Sequence, residues 1–409
     1  MDRVPAIHPP PPLALIERQE QITELCAAAT AAGRFAFDTE FVMEDRFEPE
    51  VCLIQIAAGD CLALIDPFLS LDLAPIWNLV CDDRLLTIVH AGQEDLSLCV
   101  QHTGRPPRHV FDVQIAAGLV STDYPLSLQR LVQSMLHIRL HKAKTLTDWR
   151  RRPLTASQLR YAAEDVCHLT AIHRLLVDRL ETLGRSAWAT EEFAAFEQVS
   201  LYRRAEEDKL LRVKGAGALK GRQLAIVRDL LVWREAVGRQ RNRPARTVLR
   251  DHLLVEIAKL GLANFAEIRD LRGVNLSDRD VHAMCRHIHA AMETPSSDWP
   301  VSAPADIETP GESVLTALST AILKSYCAKQ DIAYGLVASK KSVRQHVRHH
   351  VLRKPPDKGE VELLSGWRGQ AVGGLLDEVL TGRSMVQVVP AGGNEILRML
   401  PATDGRQKR

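Results

Sequence analysis

The run Arg34-Phe35-Ala36-Phe37-Asp38-Thr39-Glu40-Phe41 constrains this 409-residue chain more than any other stretch of it. Its alternation and aromatic content predict a β-strand. Side chains two apart on a strand point to the same side, so Asp38 and Glu40 share a face. Phe35, Phe37 and Phe41 place the strand in a core. Two neighbouring carboxylates there are expensive unless something cationic compensates them. The fold must therefore bury this strand and still give its acids a partner.

The surrounding residues say what kind of fold that is. Ile16 to Ala32 reads as a helix that ends at Gly33, a suitable C-cap. Val51 to Ala57 reads as a second strand, Gly59-Asp60 as a turn and Cys61 to Ile65 as a third strand, which together make a hairpin. Leu85 to Val89 is a short buried strand, after which the chain turns helical from His90. Val110-Phe111-Asp112 is another, again before a helix. A strand, a hairpin and then buried strands alternating with helices predict an α/β domain, a mixed sheet flanked by helices.

Two further stretches carry acids at informative spacing. In His90-Ala91-Gly92-Gln93-Glu94-Asp95-Leu96, Glu94 and Asp95 lie in the first turns of a helix and cannot share one of its faces. Either could simply serve the helix dipole. In Thr155-Ala156-Ser157-Gln158 a capping box fixes a helix start, so Tyr161 and Asp165, four apart, share a face. Ala162 and Ala163 keep that region slim. Two carboxylates on a strand, one on a following helix and one beside a tyrosine on a later helix are what a two-metal phosphodiesterase needs. Such a site clamps attacking and leaving oxygens with ions about 3.5–4 Å apart. Oxygen donors suit Mg²⁺ or Mn²⁺ better than zinc.

At this point the chain resembles the ribonuclease D family of DEDD-superfamily 3′→5′ exonucleases, which have an RNase H-like fold. The resemblance rests on Phe37-Asp38-Thr39-Glu40-Phe41-Val42, Cys52-Leu53-Ile54-Gln55-Ile56-Ala57, Val89 to Leu96, and Thr147-Asp148-Trp149-Arg150-Arg151-Arg152-Pro153-Leu154 running into Tyr161-Ala162-Ala163-Glu164-Asp165-Val166. It implies that Asp38, Glu40, Asp95 and Asp165 hold two divalent ions, Mg²⁺ or Mn²⁺, and that Tyr161 positions the attacking water. It also implies nucleic-acid contacts at Phe41, His90 and Gln93. Arg160 stands where the sister subclass has histidine, which places the chain in the tyrosine branch. Met43 stands where the family usually has arginine, and this departure bears on substrate contacts near the first motif.

The second half reads as helical, with almost no strand pattern from about Phe193 onward. Its basic residues Lys209, Arg212, Lys214, Lys220, Arg222, Arg228, Arg234, Arg239, Arg241, Arg243, Arg246 and Arg250 have few acids near them in sequence, mainly Asp229 and Glu235. In a nuclease this predicts a phosphate-tracking patch. Arg241-Asn242-Arg243-Pro244-Ala245, Leu253 to Leu260 and Ile268 to Val274 resemble the HRDC module, which assists nucleic-acid binding, and Arg241 and Arg243 are its candidate contacts. A second basic stretch, Lys340, Lys341, Arg344, Arg348, Arg353 and Lys354, holds His346, His349 and His350, from which no metal site is expected.

The expected organisation is a flexible arm at 1–14, with Pro9-Pro10-Pro11-Pro12 in it, and an RNase H-like exonuclease domain at 15–200. An HRDC domain at 208–293, a Pro- and Ser-rich linker at 294–312, a second HRDC-like helical domain at 313–389 and a tail at 390–409 follow. A net charge of +1 argues against a uniformly basic binder. The eight cysteines contain no C-x-x-C pair and read as small apolar groups in a reducing compartment rather than zinc ligands. No signal peptide or membrane span is expected, which gives a cytoplasmic protein with no membrane partner and no small-molecule cofactor. The expected reaction is hydrolysis at RNA 3′ ends, with tRNA precursors or other 3′-tailed RNAs as substrates by resemblance. DNA is the alternative substrate, and an inactive RNA-binding protein on the same scaffold is the alternative from another class.

Overall fold

The computed structural model describes residues 13–141, 147–202, 209–210, 212–301, 308–351, 361–389 and 395–402. The proline run of the N-terminal arm, Arg353, Lys354 and the tail beyond residue 402 lie outside the described residues.

Six strands form one sheet: β1 (Leu13–Ile16), β2 (Arg34–Val42), β3 (Glu50–Ala58), β4 (Cys61–Ile65), β5 (Leu86–Val89) and β6 (Val110–Asp112), in the order β1-β4-β3-β2-β5-β6. β2, β3 and β4 pair antiparallel, while β1 on β4 and β2-β5-β6 are parallel. The helices around it are α1 (Gln19–Ala32), α2 (Ala74–Val80), α3 (Gln93–Thr103), α4 (Val113–Leu119), α5 (Leu128–Leu136), α6 (Ala156–Cys167), α7 (Leu169–Thr182) and α8 (Ser186–Ala194). This is the expected mixed sheet flanked by helices.

β1 departs from the sequence reading, which ran the arm to residue 14 and began the helix at Ile16. Leu13 to Ile16 instead pair with Leu62 to Ile65, and Ile16 is buried. A four-residue apolar run has no readable period, so it merges into whatever follows. α1 starts only at Gln19 and ends as expected, with Gly33 in the left-handed region at φ +65°.

In the second half, leaving helices of six residues or fewer unlabelled, the chain forms α9 (Arg222–Gln240), α10 (Asp251–Leu260), α11 (Asp278–Glu293), α12 (Pro310–Gln330), α13 (Lys340–His350) and α14 (Gly374–Leu380). It is not all helical: β7 (Ser384–Val388) and β8 (Leu397–Pro401) pair antiparallel within the stretch expected to be helix and tail. Their residues are mostly exposed or half-exposed, so no apolar alternation marks them. Among the described residues no helix is long and apolar enough to cross a membrane.

Two large cores divide the molecule. One holds the sheet with α1, α4 and α7, and takes in Ile322, Leu323, Leu336, Val343, Trp367 and Leu376 from the C-terminal helices. The other is formed by α9, α10 and α11 around Trp233, Leu254 and Met284. A small third cluster, Cys52, Leu53, Leu64, Trp149 and Ala162, lies where α6 crosses β2, β3 and β4.

Candidate active site

β2 carries out the alternation its sequence predicts. Phe35 and Phe37 are fully buried, and Asp38 and Glu40 occupy the opposite face. The register with β3 slips between Glu40 and Phe41, and this bulge interrupts the regular ladder beside the acids. Across the strand, Gln55 pairs with Asp38 and Leu53 with Glu40.

α6 brings the next residues. Thr155 and Gln158 cap it reciprocally, Thr155 Oγ1 accepting from Gln158 N at 3.3 Å and Gln158 Oε1 accepting from Thr155 N at 2.9 Å. The buried Ala162 lets the helix approach the sheet. Donor oxygens of Asp38, Glu40 and Asp165 then all lie within 4.8 Å of one another. Tyr161, one turn before Asp165 on the same helix, has its ring 6.2 Å from that of Trp149.

Asp95 stands beside this trio rather than within it. It is 7% exposed, and the Thr39 hydroxyl donates to its Oδ1. Glu94 is exposed, so the neighbour that could have competed for the role faces solvent. α3 is held by a loop with little room. A Cβ on Gly92 would come within 2.5 Å of Val89 Cβ, and Ala91 adopts φ +53°. Asp112, buried at the end of β6, fastens that loop. It accepts from Ala91 N and Gly92 N, both at 3.1 Å, while capping α4 through Gln114 N and Ile115 N. Sequence reasoning missed Asp112 as a positioning residue; an acid closing a strand just before a helix was the available signal.

The electrostatics are those of crowded acids. Burial, then Asp95, Asp165 and Glu40, push the Asp38 carboxyl well above its ordinary range. Burial first raises Glu40 to about 8, Asp165 to about 7 and Asp95 to about 6. Among the described residues no ion pair reaches any of the four. Asp165 Oδ2 is buried without a hydrogen-bond partner, and so are both amide atoms of the fully buried Gln55. An orphaned carboxylate oxygen within a set of hard donors fits divalent ions such as Mg²⁺ or Mn²⁺.

The expected nucleic-acid contacts fare unequally. Gln93 is exposed at the start of α3, and Phe41 is half-buried beside the acids. His90 Nε2 is engaged with Leu126 O at 2.9 Å. Arg241 grips both oxygens of Asp280 at 2.7 Å, whereas Arg243 is exposed. The basic cluster meets more acid than its sequence neighbourhood shows. Arg234 is buried against Asp251, Lys209 pairs with Glu235, and Arg239 lies 3.6 Å from Glu48. Arg212, Lys214, Lys220, Arg243 and Arg250 stay exposed, with no carboxylate partner among the described residues. Arg152, in the stretch before α6, pairs with Asp66 and donates to Cys52 O at 2.7 Å, so it anchors that stretch to the sheet.

Known proteins resemble the chain in sequence and in fold. A sequence model of 3′-5′ exonucleases matches residues 13–181, and one of HRDC domains matches residues 223–283. Ribonuclease D of Granulibacter bethesdensis is 30% identical over 365 residues, covering 88% of this chain and 90% of its own. Ribonuclease D of Pseudomonas paraeruginosa is 33% identical over 376 residues, covering 90% and 97%. The crystal structure of Escherichia coli RNase D, described as an exoribonuclease involved in structured RNA processing, superposes with a TM-score of 0.77 at 27% identity, over 90% of this chain and 99% of that one. Relatives this similar, aligned over nearly all of both chains, establish that the chain belongs to the ribonuclease D family.

Proposed function

We propose that this chain hydrolyses RNA from its 3′ end and releases 5′-mononucleotides, acting on tRNA precursors and other 3′-tailed RNAs in the cytoplasm. The family supports the reaction class, and one observation carries the site: donor oxygens of Asp38, Glu40 and Asp165 converge within 4.8 Å of one another. Asp38, Glu40 and Asp165 would hold two divalent ions, Mg²⁺ or Mn²⁺, with Asp95 closing the set. Bound there, the ions supply an activated water and neutralise the leaving 3′ oxygen.

The chain's own residues then have separate tasks. Thr39 fixes the Asp95 carboxylate by donating to it. Burial and the neighbouring carboxylates hold the Tyr161 hydroxyl well above its ordinary pKa, so it keeps its proton at neutral pH. In this reading Tyr161 orients the attacking water as a hydrogen-bond donor and does not act as a base. Asp112 and Gly92 keep α3 in place, and so keep Asp95 facing the other acids. The exposed arginines and lysines of the HRDC segment track the phosphates of the incoming strand.

The test is a product time course on matched 3′-tailed RNA and DNA oligomers with Mn²⁺ present or chelated. Metal-dependent release of mononucleotides, faster on RNA, is expected. No metal-dependent trimming would overturn the enzyme reading, and equal rates on DNA would overturn the substrate class. Asp165→Asn should lower turnover at least about 10³-fold while RNA binding and circular dichroism stay near wild type. Tyr161→Phe should slow the reaction with a smaller loss of metal affinity.

A further inference from the structure

Helix α13 is gripped from two sides. On one, Arg344 and Arg348 both meet the buried Glu312 of α12. On the other, His346 and His350, one turn apart, face Asp377 of α14. His346 Nε2 lies 3.1 Å from Asp377 Oδ1 and His350 Nε2 lies 3.2 Å from the same oxygen. In neither contact does an N–H aim at the oxygen. Both nitrogens and the oxygen are buried without a hydrogen-bond partner, as is His346 Nδ1. The His346 side chain is 0% exposed, and an imidazole there with two idle nitrogens is costly.

The arrangement makes sense around an ion. One donor atom from each residue lies within 4.8 Å of the other two. The two histidine rings stack at 4.5 Å and 26°, which presents their nitrogens side by side. A tetrahedral zinc ion with bonds of about 2.0–2.1 Å holds its donors roughly 3.3 Å apart, close to the separations here. Two imidazoles and one carboxylate suit zinc, whereas the all-oxygen exonuclease site suits Mg²⁺ or Mn²⁺. His349 faces solvent and stands outside the group.

We propose that His346, His350 and Asp377 bind one zinc-class divalent ion, with water in the fourth position, and so pin α13 to α14. This reverses the expectation drawn from the histidine spacing alone. Asp377, the third donor, lies 27 residues beyond His350 in the chain and is invisible to a local motif.

The experiment uses full-length protein stripped of metal, then given Zn²⁺ in excess Mg²⁺ to occupy the exonuclease carboxylates. Bound zinc per chain and the thermal transition are measured for the wild type, Asp165→Asn, His350→Gln and Asp377→Asn. One zinc that raises the melting temperature by several degrees is expected in the wild type and in Asp165→Asn. Its affinity should fall by more than about tenfold in His350→Gln and in Asp377→Asn. Co²⁺ in place of Zn²⁺ should give a tetrahedral visible spectrum that His350→Gln abolishes. If His350→Gln does not fold, the isosteric Asp377→Asn decides alone. Zinc bound equally by the wild type and Asp377→Asn, or lost only in Asp165→Asn, would overturn the site and leave a metal-free histidine–carboxylate contact.

Discussion

The two helical segments that follow the sheet domain in the chain are opposite in how they are buried. α9, α10 and α11 cover their apolar faces with one another, around Trp233, Leu254 and Met284. Their contact with the sheet domain includes the loop residue Phe47, whose ring lies close against Gly238 of α9. Asn242 Oδ1 accepts from Phe47 N at 3.2 Å, and the Arg239 guanidinium lies 5.2 Å over the Phe47 ring. α12, α13 and α14 instead contribute Ile322, Leu323, Val343, Trp367 and Leu376 to the core that contains Phe35 and Ile88. Arg185, 5% exposed, stitches the seam by donating to Leu119 O, Gln330 O and Asp331 O. An apolar helical face says that burial is required; it does not say which partner supplies it.

The strongest way to break this contrast is a pair of tryptophan truncations. Trp367→Ala should cost about 3–5 kcal/mol and lower the transition of the sheet domain with its activity at elevated temperature. Trp233→Ala should cost a similar amount inside its own cluster and leave exonuclease activity on a short RNA near wild type. Calorimetry with parallel activity assays reads both. Equal loss of sheet-domain stability in the two variants would erase the distinction between the segments.

On the sheet side of the contrast, pH should act through the crowded acids. Asp165, held at about 7, and Glu40, at about 8, bind protons more tightly folded than unfolded. Such groups favour the unfolded chain as pH rises from the ordinary carboxylate range toward 8. Without metal, Asp165→Asn should therefore melt a few degrees above the wild type at pH 8 and no higher than it at pH 5. Mg²⁺ or Mn²⁺ should raise the wild-type transition at pH 8. A variant that melts lower at pH 8 would show that the acids are not mutually repelling.

The smallest effects separate two neighbouring arginines. Arg241→Ala removes a partly exposed ion pair with Asp280, and should cost about 1 kcal/mol or less of stability with little change in RNA affinity. Arg243→Ala should leave stability unchanged and reduce the salt dependence of RNA binding by about one unit of slope. The reverse pattern would transfer the nucleic-acid role from Arg243 to Arg241.

Much of the site is legible in the residues themselves. β2 shows through its period of two, and α6 through a capping box that places Tyr161 and Asp165 on one face. Asp95 depends on the resemblance, because what distinguishes it from Glu94 is tertiary: a bond from Thr39 and a buried position. The basic run of the HRDC segment looks little opposed because Asp280 and Glu48 reach it only after folding. β1, β7 and β8 are four or five residues long and carry no period strong enough to read. The sharing of one core between the sheet and α12 to α14 has no local signature at all.

That shared core also has a consequence in time. The last of the four acids, Asp165, and the residue that closes the core, Leu376, are roughly two hundred positions apart. At about 5–20 residues per second, a ribosome takes roughly 10–40 s to travel from one to the other. Through that interval the nascent chain has every acid of the site and an unfinished core around them.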